Sequence, residues 1–340
     1  MYEFALGLNR QLAAEGDLVW SPYSVASALA LTATAARGRA YDEIVAVLGG
    51  APDGLGLAEA AALRDAEITV ANTLWFREGL PVEEEYERQS GAATHSADFA
   101  GDPEGAREAI NADVAKTTRE LIRDLLAPGL VDSRTAAIIV NALYLKVAWR
   151  NPFAESSTLP VPFRGPGGRR RVPMMRRTGR MPYAEVDGWR MVTLQAGGGV
   201  VADVLLGPED GPAAPESLRP LYEAARAVPV SLTVPKFRLE TGTSLVEPLA
   251  ALGVRTAFSG EADFSRLTPE RLCVSLVEHK AVLDVDEKGF EGAAATAVIM
   301  VTAVMDVGQP VEFRVDRPFL VVVRHPAAET VYFLARVTEP

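Results

Sequence analysis

Residues His279–Met305 read HKAVLDVDEKGFEGAAATAVIMVTAVM, and the reading of this stretch governs the rest. Ala281, Leu283 and Val285 alternate with Lys280, Asp284 and Asp286, the two-residue period of a strand, which Val282 interrupts. Glu287-Lys288-Gly289 then punctuates the chain. Beyond it preferences divide. Ala293, Ala294, Ala295 and Ala297 favour helix. Val298, Ile299, Val301, Thr302 and Val304 favour strand. Small side chains with divided preferences suit a segment that changes state.

The surrounding chain has ordinary globular composition. Of its 340 residues 48% are hydrophobic and 23% charged, ample material for a core. No apolar run reaches the roughly 18 residues of a transmembrane helix. The opening MYEFALGL lacks a basic segment and a cleavage site, so no signal peptide is expected. The net charge of −11 disfavours nucleic acid and anionic membrane as partners. One local exception is Arg164–Arg180, with seven arginines and no acid, read as a solvated ribbon or a polyanion site. Lys supplies five of the 34 basic residues, a bias pointing to a GC-rich or heat-adapted source and a thermostable chain. The single cysteine, Cys273, excludes an intrachain disulfide and reads as a small buried hydrophobe.

Taken in order, Phe4, Leu8 and Leu12 mark a helix ending near Gly16. Ser21 caps a second helix, Pro22–Arg37, with Pro22 at its first position. Arg39–Leu48 and Leu57–Arg64 are also read as helices. Ala66–Phe76 and Thr135–Trp149 are long strands, the second apolar on both faces and therefore central in a covered sheet. Gly105–Leu126 is predicted helical. From Asn151 on, strands dominate: Pro162-Phe163, Val172–Met175, Trp189–Gln195, Val200–Leu206, Val230–Leu239, Phe319–Arg324 and Val331–Val337. Glu216–Ala227 and Leu245–Leu252 are further helices. No repeat or long linker interrupts the chain, so residues 1–340 are read as one α+β domain.

Ser24, Asn141 and His279 are polar residues in otherwise apolar elements and require buried partners. The other histidines, His95 and His325, show no ligand spacing, so no metal or other cofactor is expected. No nucleophile–base set is evident, so the chain is not read as an enzyme.

Several motifs together resemble the serpins, the serine protease inhibitor family. Besides the HKAVLDVDEKG hinge, Ser21-Pro22-Tyr23-Ser24 resembles the family's buried helix start. Asn141-Ala142-Leu143-Tyr144-Leu145-Lys146, with Trp149 and Phe153, resembles its NAxYFKxxWxxxF strand. Val234-Pro235-Lys236-Phe237 and Asp316-Arg317-Pro318-Phe319-Leu320 resemble two further strands. The motifs occur in the family's order over nearly the whole chain.

The resemblance implies an α+β fold of three β-sheets and about eight or nine helices, with an exposed reactive-centre loop over about residues 288–310. It implies a monomer, extracellular on family grounds, that traps a serine protease as a covalent complex. Glu287, Gly289, Phe290, Gly292, Ala293, Ala294 and Ala295 would form the hinge. Ser21, Ser24, Asn141, Trp149, Lys236 and His279 would form the shutter and breach, where the central strands part, with Lys236 pairing Glu287. Counting from Glu287 at the family's spacing puts cleavage after Ala303, at the Ala303–Val304 bond, with Met300 and Met305 as alternatives. All are small or apolar, suiting a chymotrypsin-, elastase- or subtilisin-like target. The alternatives are a non-inhibitory serpin-fold binding protein, a protease substrate, or a cross-class inhibitor of cysteine proteases. Two departures from the family's pattern matter, beside the minor one of Ala335 for a usual Gly. Phe290 stands where Thr or Ser is usual, a ring that slows insertion or fills a matching cavity. Gly292 replaces Ala.

Overall fold

Long strands that are apolar on both faces must be covered on both faces, and the architecture follows from this. The computed structural model describes residues 1–12, 16–55, 57, 63, 66–90, 94–209, 214–290 and 309–340. Its helices are α1 (Tyr2–Gln11), α2 (Pro22–Ala35), α3 (Gly38–Leu48), α4 (Glu84–Ser90), α5 (Pro103–Thr117), α6 (Arg219–Ala224) and α7 (Val246–Leu252). The strands are β1 (Leu18–Trp20), β2 (Glu67–Arg77), β3 (Thr94–Ala97), β4 (Ala137–Ala148), β5 (Leu159–Gly165), β6 (Gly168–Val186), β7 (Trp189–Gln195), β8 (Val201–Leu206), β9 (Arg226–Pro235), β10 (Phe237–Ser244), β11 (Leu276–Val285), β12 (Gly289–Phe290), β13 (Val311–Arg314), β14 (Phe319–His325) and β15 (Thr330–Val337).

A six-stranded sheet runs β10-β11-β12-β4-β2-β3. The remaining nine strands are hydrogen-bonded together in two groups joined by β6. This strand pairs β5 near its start, β9 along its middle and β7 at its end. β7, β8, β14, β15 and β1 continue one group; β9 and β13 complete the other. The fold is α+β, with two hydrogen-bonded sheets of six and nine strands; the expected three sheets are counted only when the two groups that share β6 are taken separately.

β4 shows why the sheet sits where it does. Leu143, Leu145 and Val147 join the core shared with the nine-strand network. Ile138, Val140 and Ala142 join a second core under α5, with Ile110 and Val114. α2 has no charged residue and buries most of its length in a third core.

The strand expected at Val172–Met175 extends to the whole of β6, α4 was not expected, and three further elements differ. The helix at Gly105–Leu126 ends at Thr117, because Arg119 (φ 52°) and Glu120 (φ 65°) turn into the left-handed region. The Thr118 hydroxyl bridges the break, accepting from Ile122 N at 3.2 Å and donating to the Val114 carbonyl at 2.8 Å. Ile122 and Leu125 still reach the core, so the apolar spacing persists beyond the helix that would explain it. The helix at Glu216–Ala227 contracts to α6, and the chain is extended from Ala225 into β9. The strand at Val230–Leu239 divides at Lys236 into β9 and β10, which belong to different sheets. Cys273 is half-buried, outside any strand.

Candidate functional site

The central strands part within the six-stranded sheet. β11 and β4 pair in parallel from Leu276↔Ile138 to Lys280↔Ala142. Higher up, β12 lies between them, antiparallel to both, with Phe290 opposite Val285 on one side and Val147 on the other. Adjacent strands lie about 4.8 Å apart, so the two strands must diverge to about twice that spacing. They form a fork.

A buried polar cluster occupies the fork's base. Ser21 is the N-cap of α2, its hydroxyl accepting from Ser24 N at 3.1 Å. The Ser21 amide donates to His279 Nε2 at 3.0 Å. That nitrogen is therefore an acceptor, which leaves the proton on Nδ1, 2.8 Å from Asn141 Oδ1. The Asn141 amide donates to the Ser24 carbonyl and to Asn72 Oδ1. Ser21, Ser24, Asn141 and His279 are all 0% exposed. Burial disfavours the imidazolium and holds the His279 pKa down to about 4. The Ser24 hydroxyl has no hydrogen-bond partner among the described residues. Sequence reasoning missed Asn72. Its signal was a polar residue at the centre of an apolar strand, directly opposite Asn141 in the register.

A second cluster holds the fork's mouth. Glu287 accepts from Lys236 Nζ at 2.9 Å and from the Thr158 hydroxyl at 2.7 Å. Burial works against the Glu287 charge, but these hydrogen bonds outweigh it and hold the carboxyl below the usual carboxylate range. The same bond to Glu287 raises Lys236. Thr158 was also missed, since nothing near it in sequence points to Glu287. The Asp286 carboxylate accepts from the amides of Lys288 (2.8 Å) and Gly289 (3.0 Å), closing a tight reversal. Trp149 brackets that reversal. Its indole donates to the Asp286 carbonyl and its amide to the Lys288 carbonyl, each at 2.9 Å. Its ring lies 4.6 Å from that of Phe290.

Phe290 is 1% exposed, so its ring is accommodated in the core. At the crotch a void of about 10 Å³ remains, bordered by Leu143, Leu145, Leu283 and Phe290. Gly289 lies flat on β4: a Cβ there would stand 2.2 Å from the Val147 oxygen and 2.8 Å from Ala148 Cα. The sequence-read positions Gly292, Ala293, Ala294, Ala295, Met300, Ala303, Val304 and Met305 lie outside the described residues.

The arginine ribbon is partly engaged by its own surroundings. Arg164 pairs Glu209 at 2.6 Å and Arg170 pairs Glu339 at 3.5 Å. Arg177 lies over the Phe153 ring at 5.6 Å. Among the described residues, no group of three or more His, Cys, Asp and Glu side chains could hold a metal ion.

A family model described as Serpin (serine protease inhibitor) matches residues 1–340. The chain is 32% identical to Iris of Ixodes ricinus over 352 residues, spanning 95% of this chain and 92% of that protein. It is 32% identical to the leukocyte elastase inhibitor of Bos taurus over 356 residues, spanning 96% and 93%. The crystal structure of human thyroxine-binding globulin with bound thyroxine superimposes with a TM-score of 0.87 at 25% identity, over 100% of this chain and 97% of that one. A buried polar fork in the central sheet, the matching motifs along the chain and these likenesses lead to one conclusion: this chain belongs to the serpin family.

Proposed function

We propose that the protein inhibits a serine protease by a suicide mechanism in which the cut reactive loop becomes a strand of the six-stranded sheet. The observation that carries the reading is the fork, whose mouth already holds Gly289 and Phe290 between β11 and β4. Continuing that register would set residue 292 beside Leu145 and Leu283, 294 beside Leu143 and Ala281, and 296 between Asn141 and His279. Those flanking residues are buried, and the chain offers Gly292, Ala294 and Thr296 for them. Small or apolar side chains suit that face. Glu291 would fall on the opposite face, beside Lys146 and Asp284.

In this mechanism the protease serine attacks the scissile carbonyl. An acyl ester forms, and the amine end leaves with the β13 side of the loop. The acylated side then threads the fork and carries the protease with it before water can cleave the ester. Each net sheet hydrogen bond is worth about 0.5–1.5 kcal/mol. Ordering costs about 1–2 kcal/mol per residue. Closing the fork must therefore contribute. Cleavage after Ala303, with Val304, Met300 and Met305 as alternatives, favours chymotrypsin-, elastase- or subtilisin-like targets. The likeness to a leukocyte elastase inhibitor supports that class.

The test is incubation with chymotrypsin, elastase and subtilisin, then denaturing electrophoresis. A band at the summed mass is expected with at least one. Clean cleavage between residues 300 and 305, with no such band, sinks the inhibitory reading. That outcome favours a binding protein on the same fold, the role of the thyroxine-bound structure it resembles.

A further inference from the structure

We propose that the solvent face of β6, β9 and β13 is a docking surface for an acidic patch on the target protease, so that surface charge selects among proteases with apolar pockets. This rests on the inhibitory reading above and names the kind of partner it requires. Strand register and burial define the face. On β9, Val230, Leu232 and Val234 point into the core, as does Phe313 on β13. The alternate positions face solvent. Arg176 on β6 and Arg314 on β13 flank Thr233 of β9 in one row. Glu312 lies in the next row, opposite Ser231. Arg180 pairs Pro229, one row beyond the Val230↔Val311 pair, at the end where the chain enters β13. Arg176, Arg180, Glu312 and Arg314 are all exposed. The Arg180 guanidinium donates to the Ala227 carbonyl at 2.7 Å, which fixes it in place without neutralising it. Among the described residues Arg176 and Arg180 form no ion pair, and Arg314 has only Asp316, at 3.7 Å.

Covalent reach brings the protease to this face. With cleavage after Ala303, the new chain end is tied to Val311 through about 25 Å of extended chain at most. By strand spacing the three arginine Cα atoms lie within about 15 Å of Val311. A protease of about 230 residues spans about 45 Å, so β13 and its two neighbours fall under its footprint. The chain as a whole carries a charge of −11, so the cationic field is local. At physiological salt the Debye length is about 8 Å, and a docking surface responds to the charges beside it, not to the distant net charge. Guanidiniums held in such a place speed association with an anionic partner by about tenfold or more. Glu312, set between the arginines, suits a protein surface, which can place a cation against it. A uniform polyanion would be repelled there.

The probe is whichever of chymotrypsin, elastase and subtilisin cuts the loop fastest, used unmodified and after succinylation, which turns its lysines into carboxylates. The readout is the second-order rate at which intact protein disappears, into adduct and cleaved chain together, normalised to each protease's rate on a neutral peptide. At low salt the succinylated protease should react about tenfold faster than the unmodified one, and the gain should shrink as salt rises. The triple variant Arg176→Ser, Arg180→Ser, Arg314→Ser should lose the gain, and the corresponding triple Lys variant should keep it. Arg39→Ser, Arg88→Ser and Arg123→Ser, on other elements, should also keep it. Melting curves check the fold of each variant. Equal rates for the two forms of the protease, or a gain that survives in the triple Ser variant, overturn the proposal. Retention on heparin that the triple Ser variant loses, with equal protease rates, makes the face a polyanion site and also overturns it. Clean cleavage without adduct sinks the inhibitory reading, yet the ratio of cleavage rates still decides whether the face docks an acidic surface. If none of the three proteases cuts the loop, both readings fall.

Discussion

His279 on β11 and Asn141 on β4 face each other in a parallel register at the last rows before the two strands diverge, and the imidazole Nδ1 lies 2.8 Å from the Asn141 side-chain oxygen. This bond joins the two sides of the fork at its base. The Ser21 amide on the other ring nitrogen ties the same residue to α2.

The His279 ring is folded neutral, which predicts a pH dependence of stability. Its folded pKa of about 4 lies below the ordinary value of about 6.5. The unfolded chain takes up the proton first as pH falls. Stability contributed by this group is complete above pH 7, declines between about pH 6.5 and 4, and levels off below. The full loss is about 3 kcal/mol. Melting temperatures at pH 7.5 and 5.5 should fall further apart in the unmodified protein than in His279→Gln. Parallel behaviour of the two proteins would count against the assignment.

At the fork's mouth, the Glu287 side chain is 9% exposed and that of Lys236 44%. Lys236→Met should cost only about 1 kcal/mol, because solvent screens the half-exposed ammonium and Thr158 still serves Glu287. Glu287→Lys should cost about 3 kcal/mol, since it buries a charge against a like one. The double exchange, Lys236→Glu with Glu287→Lys, should recover part of that loss in chemical denaturation. No recovery would mean that the geometry, including Thr158, matters more than the pairing of charge. The Glu287 carboxyl is held below its ordinary range, so its contribution is present above that range and is lost as pH falls from there through the lower folded value.

Gly289 has no room for a methyl group. Gly289→Ala should displace β12 from β4, since backbone atoms of Val147 and Ala148 block the position. A loss of about 1–3 kcal/mol is expected, as for overpacking elsewhere. Amide protection at Phe290 should disappear with it. Native melting together with native protection would refute the close approach.

Away from the fork, Arg324 is ion-paired to the fully buried Asp203 at 2.5 Å, and its guanidinium lies 3.8 Å above the Tyr222 ring. Thr193 also donates to Asp203, at 2.6 Å. Asp203→Ala leaves a nearly buried guanidinium without its partner and should cost about 3–5 kcal/mol. Asp203→Ala with Arg324→Met should be less destabilised than Asp203→Ala alone. Equal losses in urea would show that the pair does not carry the effect.

The long strands, the buried α2 and the polar positions Ser21, Ser24, Asn141 and His279 were legible in the sequence. Each depends on local rules: a capping serine before a proline, a two-residue apolar period, a polar side chain in an apolar run that must find a partner. Other features depended on where distant strands lie. Val230–Leu239 reads as one strand, yet its apolar alternation shifts phase at Pro235-Lys236 and its halves serve two sheets. Asn72 and Thr158 joined the clusters only through strand register and loop packing across long stretches of chain. What the Phe290 ring packs against could not be read from its size. That was decided by Trp149, 141 positions earlier in numbering terms than Phe290, whose ring fills the other half of the same buried space. Sequence determines which side chains need burial, but only the tertiary structure decides what each is buried against.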